Sequence, residues 1–206
     1  MFGSRRVFTP HAGKRELALA RIRQGAGIVA RNGSSRVNIT QVLGGHGAGD
    51  IHMYSFFMSM EQGMQVGSNL MNDPAWASLM AEREANPAAD MDGPNVSRLV
   101  AGEAIPTNQA LMVREYVMPR ENMAEAISMV PEIQKMAKDH HTNVTMWAPV
   151  ITDDMKRVMV VYSAPDMPTL GKSIDDVGMS QEFQELLIKA SKLGTLDRAW
   201  GMVNIR

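Results

Sequence analysis

The stretch Asp50–Glu84, DIHMYSFFMSMEQGMQVGSNLMNDPAWASLMAERE, decides how the chain is read. It spells an apolar strand, a weakly helical segment with two glycines, and a short helix announced by Asn72-Asp73-Pro74-Ala75-Trp76. Asp73 fits the N-cap, where its carboxylate accepts from the free N–H groups of the first turn, and Pro74 loses nothing at a position whose N–H has no helical partner. The pattern returns between Lys156 and Ser191 as a strand (Arg157 to Ser163), a loose link (Ala164 to Gly178) and a short helix, Ser180-Gln181-Glu182-Phe183-Gln184-Glu185-Leu186-Leu187, with Ser180 as cap. Tyr54-Ser55 falls on Tyr162-Ser163 at an offset of 108, and Trp76 falls on Phe183 at an offset of 107. One residue of drift over that distance marks a duplicated unit. The sequence is therefore read as two repeats, residues 1–103 and 104–206.

The remaining elements follow the same order in both repeats. Arg5 to Thr9 reads as a strand stopped by Pro10, and Gly13 to Arg31 as a helix with Leu19, Ile22, Ala26 and Val29 on one stripe. Asn32-Gly33 supplies its stop. A strand over Arg36 to Leu43 turns through the glycine loop Gly44–Gly49 into the strand Ile51–Met58, and after the Trp76 helix a polar loop, Asn86–Pro94, leads to a strand over Asn95–Ala101. The linker is placed at Gly102–Asn108. Ala110–Val117, Asn122–Lys138, Thr142–Val150, Lys156–Ser163, Ser180–Gly194 and Ala199–Ile205 then repeat the series. Each repeat reads β-α-β-β-α-β, the order of an α+β, ferredoxin-like unit with a four-stranded antiparallel sheet and both helices on one face. The other face is bare. Two tandem units cover it by packing sheet to sheet as an α+β barrel.

Composition narrows the function classes. The 206 residues carry 21 basic and 22 acidic side chains, a formal charge of −1, which gives no field to draw nucleic acid or an anionic membrane. The absence of cysteine excludes disulfides, thiolate catalysis and Cys-ligated metals. Met1 to Pro10 is too short and polar for a signal sequence, and no apolar run approaches the ~18 residues of a membrane span, so a cytoplasmic protein is expected. The 19 methionines sit mostly in helices and strands, and they read as flexible core filler rather than a thioether copper site. No metal and no cofactor is expected.

Among the five histidines, His52 is the informative one, because alternation along Ile51–Phe56 puts His52, Tyr54 and Phe56 on one strand face. With the offset of 108, tyrosine is kept in both repeats while histidine stands in one, the pattern of a site confined to one half. His52 and Tyr54 are the candidate catalytic pair, a base near neutral pH beside a phenol that donates a proton or steadies an enolate. The competing reading is a hydrogen-bonded core histidine and an amphipathic core tyrosine. Phe56, Tyr162, Arg114 and Tyr116 are candidate ligand-binding residues; Arg114 shares a face with Tyr116 and would take an anion if it points into a cavity, or is a solvated charge if it lies at a sheet edge. The Gly44–Gly49 loop joins two strands and lacks the lysine and following helix of a phosphate cradle.

The element order, together with the capped aromatic helices at Asn72–Leu79 and Ser180–Leu187, resembles the dimeric α+β barrel superfamily over nearly all of both halves. That group holds antibiotic-biosynthesis-type monooxygenases, NIPSNAP-like and EthD-like proteins, muconolactone isomerases, haem-degrading enzymes and chlorite dismutases, and this sequence is most similar in type to the first two. The resemblance implies a ligand site between a sheet and its two helices. It implies a small apolar or aromatic ligand, with cofactor-independent oxygenation or isomerisation of an aromatic or polyketide-like compound as the activity. A non-enzymatic binding or assembly module, associating as a homo-oligomer through exposed apolar helix faces, is the alternative, and haem binding is a second. The Asn, Trp and His triad of haem-degrading members has no match here, because the second helices carry no histidine.

Overall fold

The computed structural model describes residues 1–205. In chain order the strands are β1 (Phe2–Pro10), β2 (Arg36–Gly45), β3 (Ile51–Phe57), β4 (Ala89–Ala101), β5 (Ala110–Val117), β6 (Asn143–Ile151), β7 (Arg157–Ala164) and β8 (Thr195–Asn204). The helices are α1 (Arg15–Arg31), α2 (Met60–Met71), α3 (Pro74–Ala85), α4 (Met123–Lys138), α5 (Met167–Ser173) and α6 (Gln181–Ala190). The strands form a closed barrel in the order β1-β3-β2-β8-β5-β7-β6-β4. Within that circuit β4-β1-β3-β2 and β8-β5-β7-β6 each show the ferredoxin-like order, so the α+β barrel expected from the sequence is the observed fold.

By contact density the chain forms two compact units. Unit 1 holds Met1–Val42, Gly47–Ser97 and the chain from Asn204 onward, whereas unit 2 holds Leu43–His46 and Arg98–Val203. In unit 1, Ile22, Ala26 and Val29 of α1 and Leu79 of α3 pack on Ile51, Met53 and Phe57 of β3. Each such aliphatic side chain contributes about 1.5–3 kcal/mol on burial. In unit 2, Val130 and Ile133 of α4 with Phe183 and Leu186 of α6 cover Val158, Val160 and Tyr162 of β7.

Three expectations need correction. The link over Ala164–Gly178 is not loose: Asp166 accepts from the Thr169 N–H, opening α5, and a π turn over Ile174–Gly178 continues it. The polar loop ends early, since β4 begins at Ala89. Strand pairing there tolerates Pro94 because Gly93 adopts φ +94°, where a Cβ would lie 2.6 Å from the Arg5 carbonyl oxygen. Strand β8 begins at Thr195, four residues before the expected start at Ala199.

Asp73 caps α3 as the sequence indicates, accepting from the Ala75 and Trp76 N–H groups. It also receives bonds from Arg31 Nη2 at 2.9 Å and Asn32 Nδ2 at 2.8 Å at the end of α1, tying the two helices at one corner. The Asn32 bond first, then the Arg31 and backbone bonds, outweigh partial burial and hold its carboxyl at a pKa of about 2. A carboxyl with a depressed folded pKa stabilises the fold above its ordinary value, and that contribution fades as pH falls from about 4 through 2. Urea titrations of the wild type and Asp73→Asn at pH 6 and pH 2 check this: the variant is less stable at pH 6, and the gap closes by pH 2.

Candidate functional site

Helices α1 and α3 do not seal against the sheet of unit 1 but leave a cavity of about 210 Å³. Phe8 on β1 and Met53 on β3 supply its sheet side, and Trp76 and Leu79 of α3 its helix side. Gly25 of α1 leaves room there: a Cβ on it would sit 3.4 Å from Leu79 Cδ2 and 3.8 Å from Trp76 Cζ3. The glycines that weaken α1 in the sequence thus have a use at Gly25, where the two helices approach.

Three arginines, Arg6, Arg21 and Arg83, border this apolar space. Arg6 stands on β1 opposite Met53 and faces the helices. Arg83 is held by two thioethers, donating through Nη1 to Met80 Sδ at 3.6 Å and through Nη2 to Met91 Sδ at 3.4 Å, with its guanidinium 5.7 Å from the Phe8 ring centroid. Arg21 donates to the Asn86 carbonyl oxygen at 2.6 Å. Among the described residues none of the three forms an ion pair. Burial, and then the like charge of Arg83, lowers the pKa of Arg6, while burial and Arg21 lower that of Arg83. Guanidinium groups stay protonated regardless. The result is a cationic, half-buried slot with aromatic walls and no internal counter-charge, which favours an anion.

His52, Tyr54 and Phe56 lie together, but on the face of β3 turned away from the helices. His52 Nδ1 is 3.2 Å from the Tyr54 hydroxyl, and the Tyr54 and Phe56 rings stack at 6.4 Å. His52 is buried, and Arg36 covers the Phe56 ring at 4.4 Å. The cavity opens on the other side of the strand, at Met53. The sequence-based pairing of Tyr54 with Tyr162 is a one-residue slip, because Tyr162 faces the helices of unit 2 and Tyr54 does not. By strand register, Arg114 stands opposite Val160 as Arg6 stands opposite Met53, so Ser55 is the counterpart of Tyr162.

The candidates in unit 2 are also brought together. The Arg114 guanidinium lies 5.7 Å from the Tyr162 ring centroid and 5.9 Å from that of Phe183. Burial raises the pKa of Tyr116 against the pull of Arg114, and burial raises that of Tyr162 further. The space around them is nearly filled, with cavities of about 50 and 20 Å³. Volumes of that size hold one or a few waters.

Sequence reading missed Arg6, Arg21 and Arg83, and took Trp76 only as a mark of the fold. A signal was present: Arg6-Val7-Phe8 and Arg114-Glu115-Tyr116 both write Arg-x-aromatic on the first strand of their unit. Elsewhere, His11 Nε2 lies 3.1 Å from Asp90, and His140 Nδ1 lies 3.3 Å from Asp176. Among the described residues no group of three His, Asp or Glu side chains could hold a metal ion, and no helix is long and apolar enough to cross a membrane.

No protein-family model matches the sequence, and no curated protein matches it. Solved structures do match. A candidate monooxygenase from Fusobacterium nucleatum subsp. nucleatum aligns over 100% of this chain and 92% of its own, with a TM-score of 0.67 and 8% identity. An anthrone oxidase-like protein aligns over 100% and 91%, also at 0.67 and 8%. Chlorite dismutase from Candidatus Nitrospira defluvii aligns over 100% and 91%, at 0.55 and 11%. Such identities speak for the fold alone. The chain has the fold of the dimeric α+β barrel superfamily, with both halves in one polypeptide.

The residues do not fit haem, since no histidine lines the cavity of unit 1 or the two small cavities of unit 2. A buried cation without a partner costs stability, and its replacement by an apolar side chain of similar length recovers about 1 kcal/mol. Arg6→Met is therefore expected to raise Tm by about 2–4 °C in calorimetry. A fall in Tm would mean that Arg6 serves packing and not a ligand.

Proposed function

We propose that this protein binds an aromatic or polyketide-like small molecule as its anion in the unit 1 cavity, and oxygenates it without a cofactor. The observation that carries the proposal is the convergence of Arg6, Arg21 and Arg83 on an apolar, aromatic-walled space with no carboxylate to neutralise them. Such a site lowers the pKa of a bound phenol or enol, because it stabilises the ionised form. An enolate is electron-rich enough to give electrons to dioxygen directly. For an activated methylene the balance is one methylene and one dioxygen giving one carbonyl and one water. The carbon loses four electrons, one oxygen atom becomes the carbonyl, and the other leaves as water with both hydrogens. The likeness to an anthrone oxidase-like protein supports this reaction class.

The cavity lining contains no carboxylate, histidine or tyrosine to act as base. An isomerase reading therefore turns to the His52–Tyr54 pair, whose 3.2 Å contact would suit proton transfer on the opposite face of β3. A non-enzymatic binding module uses the same cavity with no chemistry.

The test uses methionines with 13C-labelled methyl groups. An aromatic ring in the cavity shifts the Met53, Met80 and Met91 methyl resonances and leaves those of Met118 and Met146 in place; the probes are salicylate, 1-hydroxy-2-naphthoate and anthrone. If none of the three moves these methyls, the binding site is refuted. Oxygen uptake with anthrone, at least tenfold above buffer and lost in Arg6→Met, supports oxygenation, while binding without uptake leaves the module. His52→Gln is expected to leave the Met53 shifts unchanged and to lower any isomerase turnover at least ~100-fold.

A further inference from the structure

Resting on the binding site proposed above, we infer that its ligand is a single-ring aromatic carboxylate of salicylate size, and not a fused polycyclic compound. Volume argues first. A protein cavity of about 150 Å³ encloses one benzene molecule. The unit 1 cavity of about 210 Å³ exceeds that by about 60 Å³, roughly the share of two water molecules in the liquid. That is room for a carboxylate on a single ring and not for a second and third ring. The cavity is also small beside the ~300–1,000 Å³ of pockets that take drug-sized ligands.

Charge argues second. Arg6 comes from the sheet and Arg83 from α3, and the charge of Arg83 is felt at Arg6 across the slot. A carboxylate has two oxygens, one for each guanidinium, and a guanidinium–carboxylate pair is the planar match of the two groups. Met80 and Met91 matter here, because thioethers are weak acceptors. They direct Arg83 without cancelling its charge, where a glutamate or aspartate in either place would have neutralised it. The walls exclude the main rival anion: inorganic phosphate gains nothing from Phe8, Trp76 and Leu79, whereas an aromatic ring is stabilised by them. The salicylate hydroxyl, adjacent to the carboxylate, places a phenol where the same arginines favour its ionised form.

Calorimetric titration of the full chain with salicylate, salicylamide, inorganic phosphate and 1-hydroxy-2-naphthoate tests the inference. Salicylate is expected to bind at least tenfold more tightly than the neutral amide, phosphate and the naphthoate. Arg6→Met and Arg83→Met should each weaken salicylate at least tenfold and leave salicylamide unchanged, and if one of them misfolds the other still decides. Equal affinity for salicylamide overturns the role of the charge, and tighter binding of the naphthoate overturns the single ring. In either case methionine shifts with any probe keep the broader site intact. Silence of those methyls with every probe removes both.

Discussion

Side chains alternate across a β-strand, and in each unit the helices cover only one face of the sheet. Everything about the site follows from that parity. Residues Ile51, Met53 and Phe57 meet the helices, so His52, Tyr54 and Phe56 cannot. The same parity brings Arg6 and Phe8 of β1 under α1 and α3, and puts Arg114 and Tyr116 of β5 under α4 and α6. A single residue of misregistration between two strands therefore moves a whole set of side chains from one environment to the other.

The two units use one scaffold in two ways. In unit 2 the strand arginine is absorbed: aromatic faces from Tyr162 and Phe183 lie beside Arg114, and Tyr116 hydrogen-bonds it, so the charge is spent on packing. In unit 1 the position of Tyr162 is a serine, Ser55, and Phe183 is answered by Trp76, which stands at the wall of an open space. The charge there has no aromatic plug and no carboxylate. A site that holds cations apart from counter-ions in a low-dielectric slot carries a standing electrostatic cost, which a bound anion offsets.

How much was legible in the sequence differs by level. The caps at Asp73 and Ser180, the stripe Leu19–Ile22–Ala26–Val29 and the hairpins around β2–β3 and β6–β7 are written in local chemistry, and they suffice for the fold. Helix α5 was hidden because Pro168 and Gly171 weaken its propensity, and only the Asp166 cap announces it. The placement of the site depended on strand parity, which the tyrosine pair Tyr54/Tyr162 suggested wrongly: identical residues aligned, but their faces did not. Arg21 and Arg83 look like ordinary solvent-facing charges along α1 and α3. What makes them part of a site is the proximity of two helices at Gly25, a fact of tertiary packing that no local pattern encodes.

Asp73 ties the end of α1 to the beginning of α3, and Trp76 follows three residues later, within the first turn that this carboxylate caps. The wall of the cavity is thus hung on a corner outside the barrel strands. Its angle can be altered there by one codon without disturbing strand register, so lineages carrying this fold have an adjustable jaw on a fixed frame. Selection acting on that corner would reshape the slot gradually, while the strands go on specifying the same barrel.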